Sequence, residues 1–188
     1  MLDVITSLMV PMLATSIGIS VPQDTARAFE VTAGTVADWA IVNDGVMGGL
    51  STSEFVDSGS GFAVFRGDLS LENNGGFASV RGVVPIGAME SHRGLELRVR
   101  GDGRSYQVRV RTNPQFDGVA YMAEFPTQAG MWQTIEIPFE AFEATYRGRK
   151  PRGAPGLAPG EVRQLGLLIG DKVEGPLRLD VEWIRPVS

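Results

Sequence analysis

Gly94-Leu95-Glu96-Leu97-Arg98-Val99-Arg100-Gly101-Asp102-Gly103-Arg104-Ser105-Tyr106-Gln107-Val108-Arg109-Val110-Arg111 decides the fold class. Leu95, Leu97 and Val99 alternate with Glu96, Arg98 and Arg100. After Gly101-Asp102-Gly103, Tyr106, Val108 and Val110 alternate with Gln107, Arg109 and Arg111. Side chains of a strand point to opposite faces in turn, so each half reads as a strand with one apolar and one polar face. The glycine-bounded turn between them predicts an antiparallel hairpin. In that reading Arg98, Arg100, Arg109 and Arg111 project from one sheet face. Like charges facing one another are destabilising unless neutralised. Either Glu96, Glu124 and Glu136 pair with them, or the four form a patch for an acidic or carboxylate-bearing partner, whose planar groups arginine's fork matches.

The same pattern continues outward. Ser53–Val56, Phe62–Asp68, Phe77–Val84, Val119–Phe125, Met131–Ile137, Leu165–Ile169 and Leu177–Trp183 read as further short strands. Asp57-Ser58-Gly59-Ser60-Gly61 and Glu72-Asn73-Asn74-Gly75-Gly76 are turns by composition, the second carrying the Asn-Gly hairpin signal. Pro138–Ala144 is long enough for one helical turn, and 147–160 is a loop rich in glycine and proline. Nine to eleven short strands without a long helix predict an all-β sandwich or barrel. With 188 residues this is one domain. Residues 29–188 are read as that domain, and 1–28 as an irregular apolar segment and linker. No charged side chain occurs from residue 4 to 23. The stretch resembles a degenerate signal peptide, although Asp3 stands where a lysine or arginine belongs. Read otherwise, it is an N-terminal arm. Pro11 and Gly18 make it a poor membrane span. Retained, it implies a cytoplasmic or inner-membrane-associated protein; cleaved as a signal, an exported one.

Composition narrows the chemistry. Without cysteine there is no disulfide, thiolate metal site or cysteine nucleophile. The net charge of −5 argues against nonspecific nucleic-acid binding. His92 is the single histidine and sits in a polar turn, so it reads as a solvated loop residue. No nucleophile-elbow, P-loop or Rossmann motif occurs, and nothing singles out the carboxylate pair a glycosidase needs. The chain is therefore read as non-enzymatic and without a cofactor of its own. Asp44, Asp68 and Glu72 could offer oxygen ligands to a structural calcium, or could simply form Asx-turns.

Two polar stretches remain. Asn43-Asp44-Gly45-Val46-Met47-Gly48-Gly49-Leu50-Ser51 follows a short strand-like run at Trp39–Val42. Its glycines imply sharp turns or close approach, and Met47 is expected to plug the end of the core. Asn73-Asn74-Gly75-Gly76-Phe77-Ala78-Ser79-Val80-Arg81 carries an arginine on the parity of Phe77 and Ser79, for which Asp44 is the expected partner. Asn43, Asp44, Ser51, Asn73, Asn74 and Arg81 join the four strand arginines as candidate ligand or partner residues; the other reading is that they only build and cap turns.

These two stretches resemble the complex I intermediate-associated protein 30 family. So do Gly101-Asp102-Gly103-Arg104-Ser105-Tyr106, the Trp132 segment ending at Ile137-Pro138-Phe139, Arg147-Gly148-Arg149, Leu165–Ile169 and Gly175-Pro176-Leu177. The resemblance spans residues 36 to 186. It implies a jelly-roll sandwich of the galactose-binding-domain-like type. It also implies a chaperone-like assembly factor for respiratory NADH:ubiquinone oxidoreductase, whose partners are subunits of that complex. The alternative for this architecture is a carbohydrate-binding module of an exported protein. Sugar binding wants exposed aromatics, whereas Trp39, Trp132 and Trp183 lie in or beside strand-like runs and are expected in the core.

Overall fold

The computed structural model describes residues 29–188 apart from Phe116; the signal-like segment and linker at 1–28 lie outside the described residues. Among the described residues eleven strands form two antiparallel sheets. They are β1 (Ala40–Ile41), β2 (Thr52–Asp57), β3 (Ala63–Leu69), β4 (Ala78–Val83), β5 (Gly94–Arg100), β6 (Ser105–Arg111), β7 (Ala120–Pro126), β8 (Trp132–Pro138), β9 (Glu143–Thr145), β10 (Gln164–Ile169) and β11 (Gly175–Val187). One sheet has the order β1-β4-β10-β6-β7-β9, the other β2-β3-β11-β5-β8. Helical structure among the described residues is confined to short 3-10 turns, including Asp44–Met47 and the expected turn at Phe139–Ala141. The fold is a jelly-roll β-sandwich.

The alternation read from the sequence sets the core. Leu95, Leu97 and Val99 of β5 point inward with Leu177, Leu179 and Val181 of β11, and Tyr106, Val108 and Val110 of β6 meet them from the other sheet. Phe65, Tyr106 and Phe125 form a buried aromatic run, with ring centroids 6.4 and 6.2 Å apart. Each fully buried side chain of this size contributes about 1.5–3 kcal/mol relative to exposure.

The expected hairpin between β5 and β6 does not form. β5 pairs with β11 and β8, while β6 pairs with β10 and β7. The glycine-bounded segment carries the chain across the sandwich from one sheet to the other. The turn at Glu72–Gly76 does the same between β3 and β4, so its Asn-Gly does not close a hairpin either. Asn73 and Asn74 adopt left-handed backbone (φ 53° and 60°), a conformation asparagine tolerates better than other side-chain-bearing residues. Only the turn after Asp57 closes the β2–β3 hairpin, as its composition implied.

Candidate functional site

The outer face of the six-stranded sheet carries an open cavity of about 820 Å³. Its floor follows from the strand register. Arg81 of β4 and Arg109 of β6 both lie directly opposite Gly166 of β10, so two arginines flank a strip with no side chain. Ser79 and Gln107 flank Leu168 in the adjacent row, and Met122 of β7 sits beside Arg109. Val46 and Met47 of the 44–47 turn form one wall, and Asp117, Gly118 and Arg147 another. Met47 was expected to close the core. It is instead 60% exposed, and Val46 64% exposed, on the cavity rim.

The four strand arginines do not share a face. Arg98 and Arg100 project from the five-stranded sheet, Arg109 and Arg111 from the six-stranded one, because β5 and β6 belong to opposite layers. The two pairs also have different electrostatics. Arg100 donates from Nε and Nη2 to Asp180 Oδ2, at 2.8 and 2.6 Å, and stacks on Trp132 with 4.9 Å to the ring centroid. Arg98 lies 3.5 Å from Glu182 and donates to Thr134. Trp132 and Trp183 were expected in the core but are half-buried on this outer face, covered by Arg98, Arg100 and Arg185. The neutralising carboxylates are Asp180 and Glu182; Glu96 and Glu136 serve Arg185 and Arg93, and Glu124 accepts from Ser105.

Arg109 and Arg111 meet neutral acceptors. Arg109 donates to Gln107 Oε1 from Nε and Nη2, at 3.0 and 2.7 Å, and Arg111 donates to the Gly118 carbonyl at 2.7 Å. Burial, and then the neighbouring Arg111 and Arg81, push the Arg109 pKa down to about 10. It stays protonated at neutral pH, and an anion would relieve its surroundings. Burial lowers Arg81 and Arg111 as well.

Asp44 is not aimed at Arg81. It is buried, and its two oxygens are committed to local donors: Ser51 N at 3.0 Å and Ser51 Oγ at 2.5 Å, Gly76 N at 2.7 Å and Phe77 N at 3.2 Å. Burial raises its pKa, but these four donors outweigh that and hold it below the usual carboxylate range. Asn43 Oδ1 accepts from Ser53 Oγ and Ser79 N, at 2.8 and 3.1 Å. A Cβ at Gly49 would overlap the Asp44 carboxyl, and one at Gly75 would come within 2.7 Å of Asp44 Oδ2, so both positions need glycine for close approach. Asn43, Asp44 and Ser51 thus stitch the 44–47 turn to β2 and to the start of β4. Asn73 and Asn74 shape an exposed turn. Among the described residues no group of three or more His, Cys, Asp or Glu gathers where a metal could bind, and Asp44 is too committed to join Asp68 and Glu72 around calcium.

The model of one protein family, complex I intermediate-associated protein 30, matches residues 28–181. The chain belongs to this family. Its relatives include complex I intermediate-associated protein 30, mitochondrial, of Mus musculus, 28% identical over 166 residues, covering 78% of this chain and 51% of the mouse protein. The probable Caenorhabditis elegans counterpart, also described as mitochondrial, is 28% identical over 155 residues and covers 72% of this chain and 46% of its own length. The chain thus spans about half the length of these relatives. In three dimensions it is similar to the family 11 carbohydrate-binding module of Clostridium thermocellum in complex with a mixed-linked tetrasaccharide. That likeness has a TM-score of 0.63 and 16% identity, covers 85% of this chain and 95% of the module, and concerns the fold alone.

The polar motifs of this complex I intermediate-associated protein 30 domain form two locks, one of them around Asp44. In the other, Arg104 of the Gly101–Tyr106 stretch forks onto Asp171, Nε to Oδ2 at 2.9 Å and Nη2 to Oδ1 at 2.7 Å. It also donates to the carbonyls of Val173, Gly175 and Pro176. Asp102 accepts from Tyr106 Oη and Arg178 N. Sequence reasoning gave Arg104, Asp171, Gln107 and Gly166 no role. The signal available for Arg104 was its place in a glycine-flanked motif; for Gly166, a glycine inside an otherwise apolar strand.

Proposed function

We propose that this domain is a non-enzymatic, chaperone-like assembly factor for NADH:ubiquinone oxidoreductase, and that it holds assembling subunits on the outer face of its six-stranded sheet. One observation carries the reading: the cavity on that face combines exposed Val46 and Met47 with a floor of Arg81 and Arg109 around Gly166. Flexible methionines adapt to varied apolar surfaces, and arginine is enriched where proteins bind proteins. Family membership supports the identity of the partner, since the relatives are named for complex I intermediates. Phe77 is the single aromatic among the described residues lining the cavity, which gives sugar rings little to stack on.

Removing the protein from its cells tests this. The expected result is a fall in NADH:ubiquinone oxidoreductase activity with accumulation of partial assemblies, both restored by the wild-type chain. Normal assembly in its absence would contradict the reading.

A further inference from the structure

Charge is sorted sharply in this molecule. The whole chain carries −5, yet the described residues lining the cavity include five cations, Arg81, Arg109, Arg111, Arg147 and Lys172, against one carboxylate, Asp117. That carboxylate is already taken by Arg147 at 2.6 Å. The opposite sheet shows the contrast. There the outward arginines Arg66, Arg98, Arg100, Arg178 and Arg185 each lie within ion-pair distance of a glutamate or aspartate. Among the described residues Arg109 and Arg111 have no such partner, and their guanidiniums are held by an amide oxygen and a main-chain carbonyl. These neutral acceptors orient the forks; Arg111 feels Asp117 only beyond ion-pair distance, and the Arg109 charge is left with no carboxylate to offset it.

The spacing favours an extended chain. Arg109 and Arg111, two residues apart on one strand, are separated by about 7 Å, and Arg81 and Arg109, two strands apart, by about 10 Å. Alternate side chains of an extended peptide have the first of these spacings. Gly166 between Arg81 and Arg109 leaves room for such a backbone, and Met47, Met122 and Leu168 offer apolar contact beside the charges. We infer that the cavity is a receptor for an acidic, extended peptide segment of a partner protein, in which Asp or Glu residues at alternate positions are gripped by Arg109 and Arg111. This rests on the proposed subunit-holding role and specifies the chemistry of the segment held.

The test is selection from a phage-displayed random dodecapeptide library on the full chain, repeated with Arg109→Gln/Arg111→Gln and with Arg98→Gln. Selected peptides should be enriched in Asp and Glu, lose at least tenfold in affinity when those residues become Asn and Gln, and weaken as salt is raised. The double variant should lose the selected peptides while Arg98→Gln keeps them. The double variant's thermal midpoint should equal or exceed that of the parent, because it removes two half-buried like charges. Selection without acidic enrichment, binding that survives in the double variant, or displacement of the peptides by oligogalacturonate or an oligonucleotide at lower concentration than by free acidic peptide would overturn the inference. If acidic peptides are selected but cells lacking the protein assemble the enzyme normally, the proposed function fails and this site stands. If the double variant restores assembly in those cells as well as the parent, the peptide site fails and the proposed function stands.

Discussion

Replacing Asp44 by alanine is expected to cost about 3–5 kcal/mol of folding stability and to lower the thermal midpoint by about 10 °C. The carboxylate is buried, and its loss strands the amides of Ser51, Gly76 and Phe77 and the Ser51 hydroxyl. A buried donor without an acceptor costs about 1–3 kcal/mol. Asn at 44 keeps one acceptor oxygen but turns an NH2 group toward amide donors, so it recovers little. Gly49→Ala gives an independent check. Its Cβ would collide with the Asp44 carboxyl and come within 2.8 Å of the Asp44 Cβ, so it should damage the parent severely and cost less in Asp44→Ala, where only the Cβ contact remains, a coupling that a double-mutant cycle reads directly. The pH dependence has a definite sign. The folded-state pKa of Asp44 lies below its unfolded value, so its contribution is complete above the ordinary value of about 4 and is lost as pH falls through the folded pKa. Urea unfolding followed from pH 7 to pH 2 should show a steep acid limb that Asp44→Asn flattens.

Arg104→Ala is the second large effect, again about 3–5 kcal/mol. The side chains of Arg104 and Asp171 are 12% and 13% exposed, and the pair bridges the β5–β6 crossing to the connection before β11. The hydrogen bonds that Arg104 donates to Asp171 raise its pKa against the effect of burial. Removing one partner leaves the other buried and uncompensated. Lysine cannot reproduce the fork together with the carbonyl contacts to Gly175 and Pro176, so Arg104→Lys should retain less than half of the lost stability. Hydrogen exchange should show residues 170–176 opening first in both variants, and uniform protection there would contradict this assignment.

Particular residues show how much of this was legible beforehand. Leu95, Leu97 and Val99, and Tyr106, Val108 and Val110, were assigned to the core from their spacing and lie there. The same spacing assigned Arg109 and Arg111 correctly to a polar face of their own strand. It could not say that β5 and β6 lie in different sheets, because alternation specifies a face within a strand and carries no information about the neighbour. The glycine-bounded turn was therefore mistaken for a hairpin, and four arginines were merged into one patch. Met47 was misplaced for a related reason: its apolarity argued for burial, while its actual position on the rim depends on long-range packing of the 44–47 turn against β4. Asp44 was singled out as a candidate and as the partner of Arg81, but its four donors come from residues 7, 32 and 33 positions away, a separation that local sequence cannot reveal. The jelly-roll architecture followed from the family resemblance, since strand counting alone left a sandwich and a barrel equally open.

The most direct test of the account is site-specific photocrosslinking in the protein's own cells. A photoreactive residue at Met122, inside the cavity, should trap subunits of NADH:ubiquinone oxidoreductase, and the same residue at Thr134, on the opposite sheet, should not. Equal trapping from both positions, or trapping from Thr134 alone, would contradict the claim that the six-stranded face receives the partner.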